Sequence, residues 1–204
     1  MAKRDYKPTG ENGYFHAFNR GNNLQNIFLD DEDYKFFIFK LKQNIFPDET
    51  LKRMRPLPSG SYSILSYCLM PNHFHLLLRQ DNKYSVQQLL LRVCTSYSIY
   101  FNNKYKRKGH VFQDRFKQAE IEDDEQLLWL HAYINLNPII DKSKSSIENY
   151  KWSSYEEFFN PSIGFCDKRF VYEKLGDAIG FEKFLKDALP VLRINKKLRQ
   201  FRFE

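Results

Sequence analysis

Residues 61–80 constrain the fold of this chain more than any other stretch, because two apolar runs there are separated only by Pro71-Asn72. So short a connection joins antiparallel strands, here 61–70 and 73–80. Side chains alternate along a strand. His73 and His75 therefore share one face, while Phe74, Leu76 and Leu78 share the other. Two adjacent imidazoles backed by an apolar row make half of a metal site. Taken alone, the pair is better explained by packing, or by the zinc site of an unrelated hydrolase or cupin-like fold. Its place at the start of a strand, on the sheet rim, favours a substrate site.

The flanking segments extend the pattern. Residues 13–19 read as a first strand, followed by the polar loop Arg20-Gly-Asn-Asn-Leu-Gln. Asp30 caps a helix over 31–46, whose acidic first turn complements the helix dipole. Pro47, Pro56 and Pro58 punctuate the connection to the hairpin. Leu89, Val93, Tyr97, Tyr100 and Phe101 recur at helical spacing within 85–105. Residues 115–121 alternate as a fourth strand. Asp123 with Gln126 then opens a helix expected to stop near Asn137-Pro138. The order strand, helix, strand, strand, helix, strand, helix predicts an α+β, ferredoxin-like antiparallel sheet with helices packed on one face. Residues 1–140 form this domain. Residues 141–204 form a helical, basic C-terminal extension carrying Arg193, Lys196, Lys197, Arg199 and Arg202.

Charge narrows the partners. A net charge of +7 and a pI near 9.2 favour a polyanion such as nucleic acid. Between 104 and 117, six Lys and Arg residues stand against the single acid Asp114, interleaved with Tyr105, Phe112 and Phe116. Cations for phosphates and rings for bases suit single-stranded nucleic acid; a solvated loop accounts for the run about as well. The acidic runs Asp30–Asp33 and Glu120–Glu125 read simply as helix starts. Cys68, Cys94 and Cys166 have no metal-binding spacing, which suits a reducing compartment. No apolar run approaches ~18 residues, so a cytoplasmic protein with no membrane partner is expected.

On the helix after the fourth strand, Tyr133 and Asn137 stand one turn apart and are neighbours on one face. His131 points nearly opposite and reads as a core histidine. With thirteen tyrosines in the chain, a packing role for Tyr133 is a strong rival reading. Tyr97 and Tyr100 lie on an apolar stripe and read as core, whereas Tyr105 beside the basic loop could stack on a base.

Several segments together resemble the single-tyrosine transposases of the HUH (histidine–hydrophobic–histidine) nuclease superfamily, and most of all the REP-associated tyrosine transposases. They are Phe18-Asn-Arg-Gly-Asn-Asn23, Ile27-Phe28 running into Asp30-Asp-Glu-Asp-Tyr34, Tyr67 to Leu78 with its Met-Pro-Asn-His-Phe-His block, Tyr100-Phe-Asn-Asn-Lys-Tyr105, and Gly109 to Lys117. Ala132-Tyr-Ile-Asn-Leu-Asn-Pro138 and Trp152-Ser-Ser-Tyr155 complete the set. The resemblance spans roughly 13–156, with the motifs in the family's order. It implies that His73 and His75 hold Mg²⁺ or Mn²⁺ and that Tyr133 is the nucleophile. Asn137 falls where relatives supply a third ligand, often Gln. The implied chemistry is cleavage and rejoining of single-stranded or hairpin-flanked DNA through a 5′-phosphotyrosine, in the cytoplasm at the nucleoid. Arg20, Lys104, Arg107, Arg115 and Lys117 are the candidate DNA contacts by charge and motif position. A hairpin-binding relative that no longer cuts, and a hydrolase in which water attacks, are the rival readings. Related enzymes occur as monomers and as homodimers, and the resemblance leaves both open.

Overall fold

In a computed structural model of the chain, residues 13–48, 50, 57–141, 146–148, 150–160 and 162–194 are described. Pro56 and the basic tail positions Lys196, Lys197, Arg199 and Arg202 lie outside them. The described residues form β1 (Tyr14–Arg20), α1 (Asp31–Ile45), β2 (Tyr62–Met70), β3 (His73–Gln80), α2 (Val86–Lys104), β4 (Lys117–Ile121), α3 (Asp124–Ile140), α4 (Arg169–Leu175) and α5 (Ala178–Ile194). The sheet order is β2-β3-β1-β4 with every neighbouring pair antiparallel. β1 and β3 are thus central, and the ferredoxin-like order expected from the sequence is the one observed.

Helices cover both faces of this sheet, which departs from the one-face expectation. Phe15, Ala17, Phe74, Leu76 and Leu78 pack with α1 and α2. Leu65, Cys68, Met70 and Leu77 pack on the opposite side with α3 and α5. Alternation along β3 supplies both layers, so an apolar row on each face needs its own cover. A register shift between Ile64 and Ser66 turns Leu65 and Ser66 together toward α3.

Local signals set the helix starts. Asp30 accepts from the Glu32 and Asp33 amides, and Asp33 returns the bond to the Asp30 amide. Asp123 accepts from the Gln126 amide at 2.7 Å. α3 runs past Asn137 to Ile140, beyond the stop expected at Pro138. Proline costs a helix the bond to the carbonyl one turn back. Here Pro138 lies in the last turn, and the Asp141 amide still closes on the Asn137 carbonyl at 2.9 Å.

Loops brace the hairpin turn from outside. The Gly21 amide donates to the Asn72 carbonyl (2.7 Å), and Ile27 and Phe28 both donate to the Pro71 carbonyl (2.7 and 3.0 Å). A Cβ on Gly21 would stand 2.1 Å from the Gln25 carbonyl oxygen, so only glycine lets the chain fold back this tightly. Residues 152–154 run along the free edge of β2: Leu69 donates to the Trp152 carbonyl and Ser154 to the Tyr67 carbonyl, both at 2.9 Å. That covering accounts for the Trp-Ser-Ser-Tyr motif, and it shields an edge strand from outside pairing.

Candidate active site

His73 and His75 open β3, and their neighbours are fixed by strand register. Arg20 pairs with His73 and Phe18 with His75 across β1; Met70 and Cys68 pair with them across β2. Both histidines are buried, at 6% and 2% exposure, with ring centroids 5.1 Å apart.

The His73 ring has its Nδ1 2.6 Å from Asn72 Oδ1. An amide oxygen only accepts, so this contact, the shorter of the ring's two amide contacts, puts the proton on Nδ1 and, in the neutral ring, leaves Nε2 as a lone pair. That lone pair faces Asn137 Oδ1 at 3.4 Å and Asp141 Oδ2 at 3.8 Å. Three acceptors converging in this way suit a cation between them. On His75, Nδ1 is 3.0 Å from His16 Nε2, while Nε2 is buried with no hydrogen-bond partner among the described residues. Buried polar atoms are rarely left so. Burial drives the His75 pKa well below the ordinary histidine value, and His73, His16 and Arg20 push the same way. Burial lowers that of His16 to about 3. Both rings are therefore neutral near pH 7, the form in which imidazole binds metals.

The residues thus fit a divalent ion held by His73, His75 and Asn137, with Asp141 beside them. Among the described residues, no three His, Cys, Asp or Glu side chains form a ready metal cluster, and the amide oxygen of Asn137 lies within 3.4 Å of His73 Nε2, where it would serve as a third donor. Two imidazoles are soft for Mg²⁺ and suit Mn²⁺ better.

α3 carries Tyr133 and Asn137 to the same face of the sheet. The Tyr133 ring is 1% exposed and stands edge-on to His75, with centroids 5.4 Å apart and planes at 80°. A buried polar chain holds this helix in place. Ser66 Oγ is 2.7 Å from His131 Nδ1, Asn135 Nδ2 donates to Ser66 Oγ at 3.3 Å, and Ser154 Oγ donates to Asn135 Oδ1 at 2.9 Å. His131 is fully buried and its pKa is lowered to about 3 by desolvation, in keeping with the core role expected. Tyr97 is likewise buried and Tyr100 packs against the same core.

A pocket of about 260 Å³ opens at this end of the sheet, lined by His73 and His75 together with Arg20, Asp114, Arg115 and Lys117. The 109–116 loop reaches it because the Gln113 amide donates to the Arg20 carbonyl and the Asn22 amide to the Val111 carbonyl, both at 2.9 Å. Three of the five basic candidates meet here. Lys104 does not: its ammonium bonds Asp30 (2.7 Å), Asp33 (2.9 Å) and Glu32 (3.2 Å), and Tyr105 also donates to Asp33. The acids read as a plain helix start are therefore partners of that lysine. Arg107 lies over the Phe101 ring and reaches Gln25 at 3.3 Å, also away from the pocket.

His16 and Asp141 are site residues that the sequence reading passed over. His16 was legible as the polar member of an alternating strand, but its partner depends on the β1–β3 register. Asp141 lay beyond the expected helix end.

A family model described as "Transposase IS200 like" matches residues 36–137, a span that includes both histidines, Tyr133 and Asn137. The chain belongs to the IS200-like transposase family. A solved structure described as a REP-associated tyrosine transposase bound to a REP hairpin is similar, with a TM-score of 0.58 and 14% identity over 80% of this chain and 88% of that one. At that identity the likeness speaks for a shared fold. No curated protein matches the sequence. No helix among the described residues is long and apolar enough to cross a membrane.

Proposed function

We propose that this IS200-like transposase is a divalent-metal-dependent endonuclease and strand transferase on single-stranded DNA beside a hairpin, with Tyr133 as nucleophile. The observation that carries the reading is the convergence of His73, Asn137 and His75 Nε2, which has no hydrogen-bond partner among the described residues, beside the Tyr133 ring. When bound, the ion supplies Lewis-acid polarisation of the scissile phosphate.

The protein's own groups do the rest. Arg20, Arg115 and Lys117 hold the strand's phosphates at the pocket. The Tyr133 phenol gives up its proton to solvent, its oxygen bonds phosphorus, and the bond to the 3′ oxygen breaks, that oxygen taking up a proton from solvent. A free 3′-OH leaves and the 5′-phosphate stays on tyrosine. Attack by another 3′-OH reverses the step and joins a new strand without ATP. The hairpin partner follows the relative described above, whose description names one. We read the described part of residues 141–204 as an extension of the same domain, since Ile147, Phe158, Phe181 and Leu185 share the α3 core.

The test is incubation with end-labelled, hairpin-flanked single-stranded DNA and Mn²⁺, followed by denaturing electrophoresis. Wild type should give a protein–DNA adduct, and both Tyr133→Phe and chelator-treated protein should give none. Cut DNA without an adduct points instead to attack by water, and binding without cutting to a hairpin-binding protein.

A further inference from the structure

β1 alternates as β3 does: Phe15 and Ala17 join the α1–α2 core, while His16 turns to the histidine face. His16 is 1% exposed, and its ring lies nearly parallel to that of His75, with planes at 15° and centroids 5.2 Å apart. Phe18 stacks on it at 4.9 Å, and Tyr133 stands edge-on to it at 6.4 Å. Packing therefore leaves the ring one plane, and in that plane its Nε2 is 3.0 Å from His75 Nδ1.

We propose that His16 is a positioning residue that holds the proton on His75 Nδ1, so that His75 offers a lone pair at Nε2. The inference rests on the metal reading of His73 and His75, and adds a role for a third histidine. A hydrogen bond between two imidazoles needs one proton between them. If His16 donated it, the His75 proton would sit on Nε2, a buried atom with no hydrogen-bond partner among the described residues, and no lone pair would be left there for a cation. If His75 donates, the His16 proton sits on its own buried Nδ1, and His75 Nε2 becomes a buried lone pair at the site, which a cation satisfies. His73 has the same arrangement, with Asn72 Oδ1 as its acceptor. Both histidines are thus held in the Nε2-coordinating tautomer by a different neighbour. Metal-bound imidazoles commonly rest on a carboxylate, a carbonyl or water. A neutral imidazole orients the ligand without adding negative charge, so the charge presented to a phosphate is not reduced.

Two measurements test this. In metal-free protein, long-range ¹H–¹⁵N correlation spectra should show His75 as the Nδ1–H tautomer; the Nε2–H tautomer overturns the proposal. Mn²⁺ titration calorimetry then compares wild type with His16→Phe, His16→Asn and His16→Gln. Glutamine places its amide oxygen near the imidazole Nε2 position, while asparagine falls short of it. The Phe and Asn variants should bind Mn²⁺ ~10–100-fold more weakly, and Gln should return affinity to within roughly threefold of wild type. Loss of stability alone would not sort the variants in that order. Equal affinity in all folded variants overturns the inference while leaving the metal site standing. Wild type that fails to bind Mn²⁺ removes the metal reading itself. Should His16→Phe not fold, the wild-type tautomer still decides.

Discussion

The two faces of β3 are built from alternate residues of one octapeptide, yet they are put to opposite uses. On one face Phe74, Leu76 and Leu78 are fully buried among α1 and α2, an all-apolar layer closed by aromatic contacts such as Phe37 on Phe74. On the other, His73 and His75 meet His16, Tyr133 and Asn137, all buried, and the Nε2 of His75 has no hydrogen-bond partner among the described residues. The apolar face follows the rules of stability, and the histidine face departs from them. Such local inconsistency in an otherwise consistent fold marks function. The same strand can do both because its period of two keeps the layers independent.

Mutations should separate the faces. The largest stability effect is expected on the apolar side: Leu76→Ala should cost ~2–5 kcal/mol in urea unfolding while leaving the Mn²⁺ affinity of the folded protein unchanged. A change in affinity of tenfold or more would mean the layers are coupled.

Acid should reveal the cost of the buried polar face. His131 titrates near pH 3 in the folded chain against about 6.5 when unfolded, so between those values the unfolded state binds the extra proton. Stability from its neutral burial is complete above pH ~6.5 and declines as pH falls toward 3, by about 1.4 kcal/mol per unit. Wild type should therefore lose roughly 2–3 kcal/mol more than His131→Gln on going from about pH 6.5 to 4.5. Parallel pH profiles would contradict this.

A smaller stability effect, with a total functional one, is predicted for the paired replacement of His16 and His75 by leucine. Removing both partners of a buried hydrogen bond leaves neither half of that bond unsatisfied, so stability should stay within ~1 kcal/mol while Mn²⁺ binding disappears. Severe destabilisation of the pair would show that the histidine face is structural. Smallest of all is the change expected in DNA binding from Lys104→Ala, because that ammonium is already engaged by Asp30, Asp33 and Glu32. Its loss should lower stability and leave the salt dependence of binding unaltered. Arg115→Ala, at the pocket, should reduce the salt slope by ~1.

Period and punctuation made much of the fold legible. The His73–Gln80 strand, the Asp30 and Asp123 caps and the strand order follow from alternation and local capping, which are encoded within a few residues. What escaped the sequence depends on distant partners. Charge at Lys104 does not say that Asp33, far away in the chain, will meet it. The helix continues past Pro138 because Ile139 and Ile140 are buried in the α3 core and the Asp141 amide still closes on the Asn137 carbonyl. His16 becomes a site residue only once β1 lies beside β3. Helices on both faces required knowing that Leu65, Cys68 and Leu77, apolar but on the histidine side, need covering as well.

The central claim is that the histidine face serves a tyrosine nucleophile, and mapping the DNA adduct tests it most directly. Trypsin should release Gln118–Lys142 as one peptide, in which Tyr133 is the only tyrosine. After reaction with hairpin-flanked single-stranded DNA and Mn²⁺, followed by nuclease digestion, mass spectrometry should find a residual nucleotide phosphate on that peptide, at Tyr133. A phosphate carried by any other tyrosine, or cleaved DNA with no modified peptide, would contradict the account.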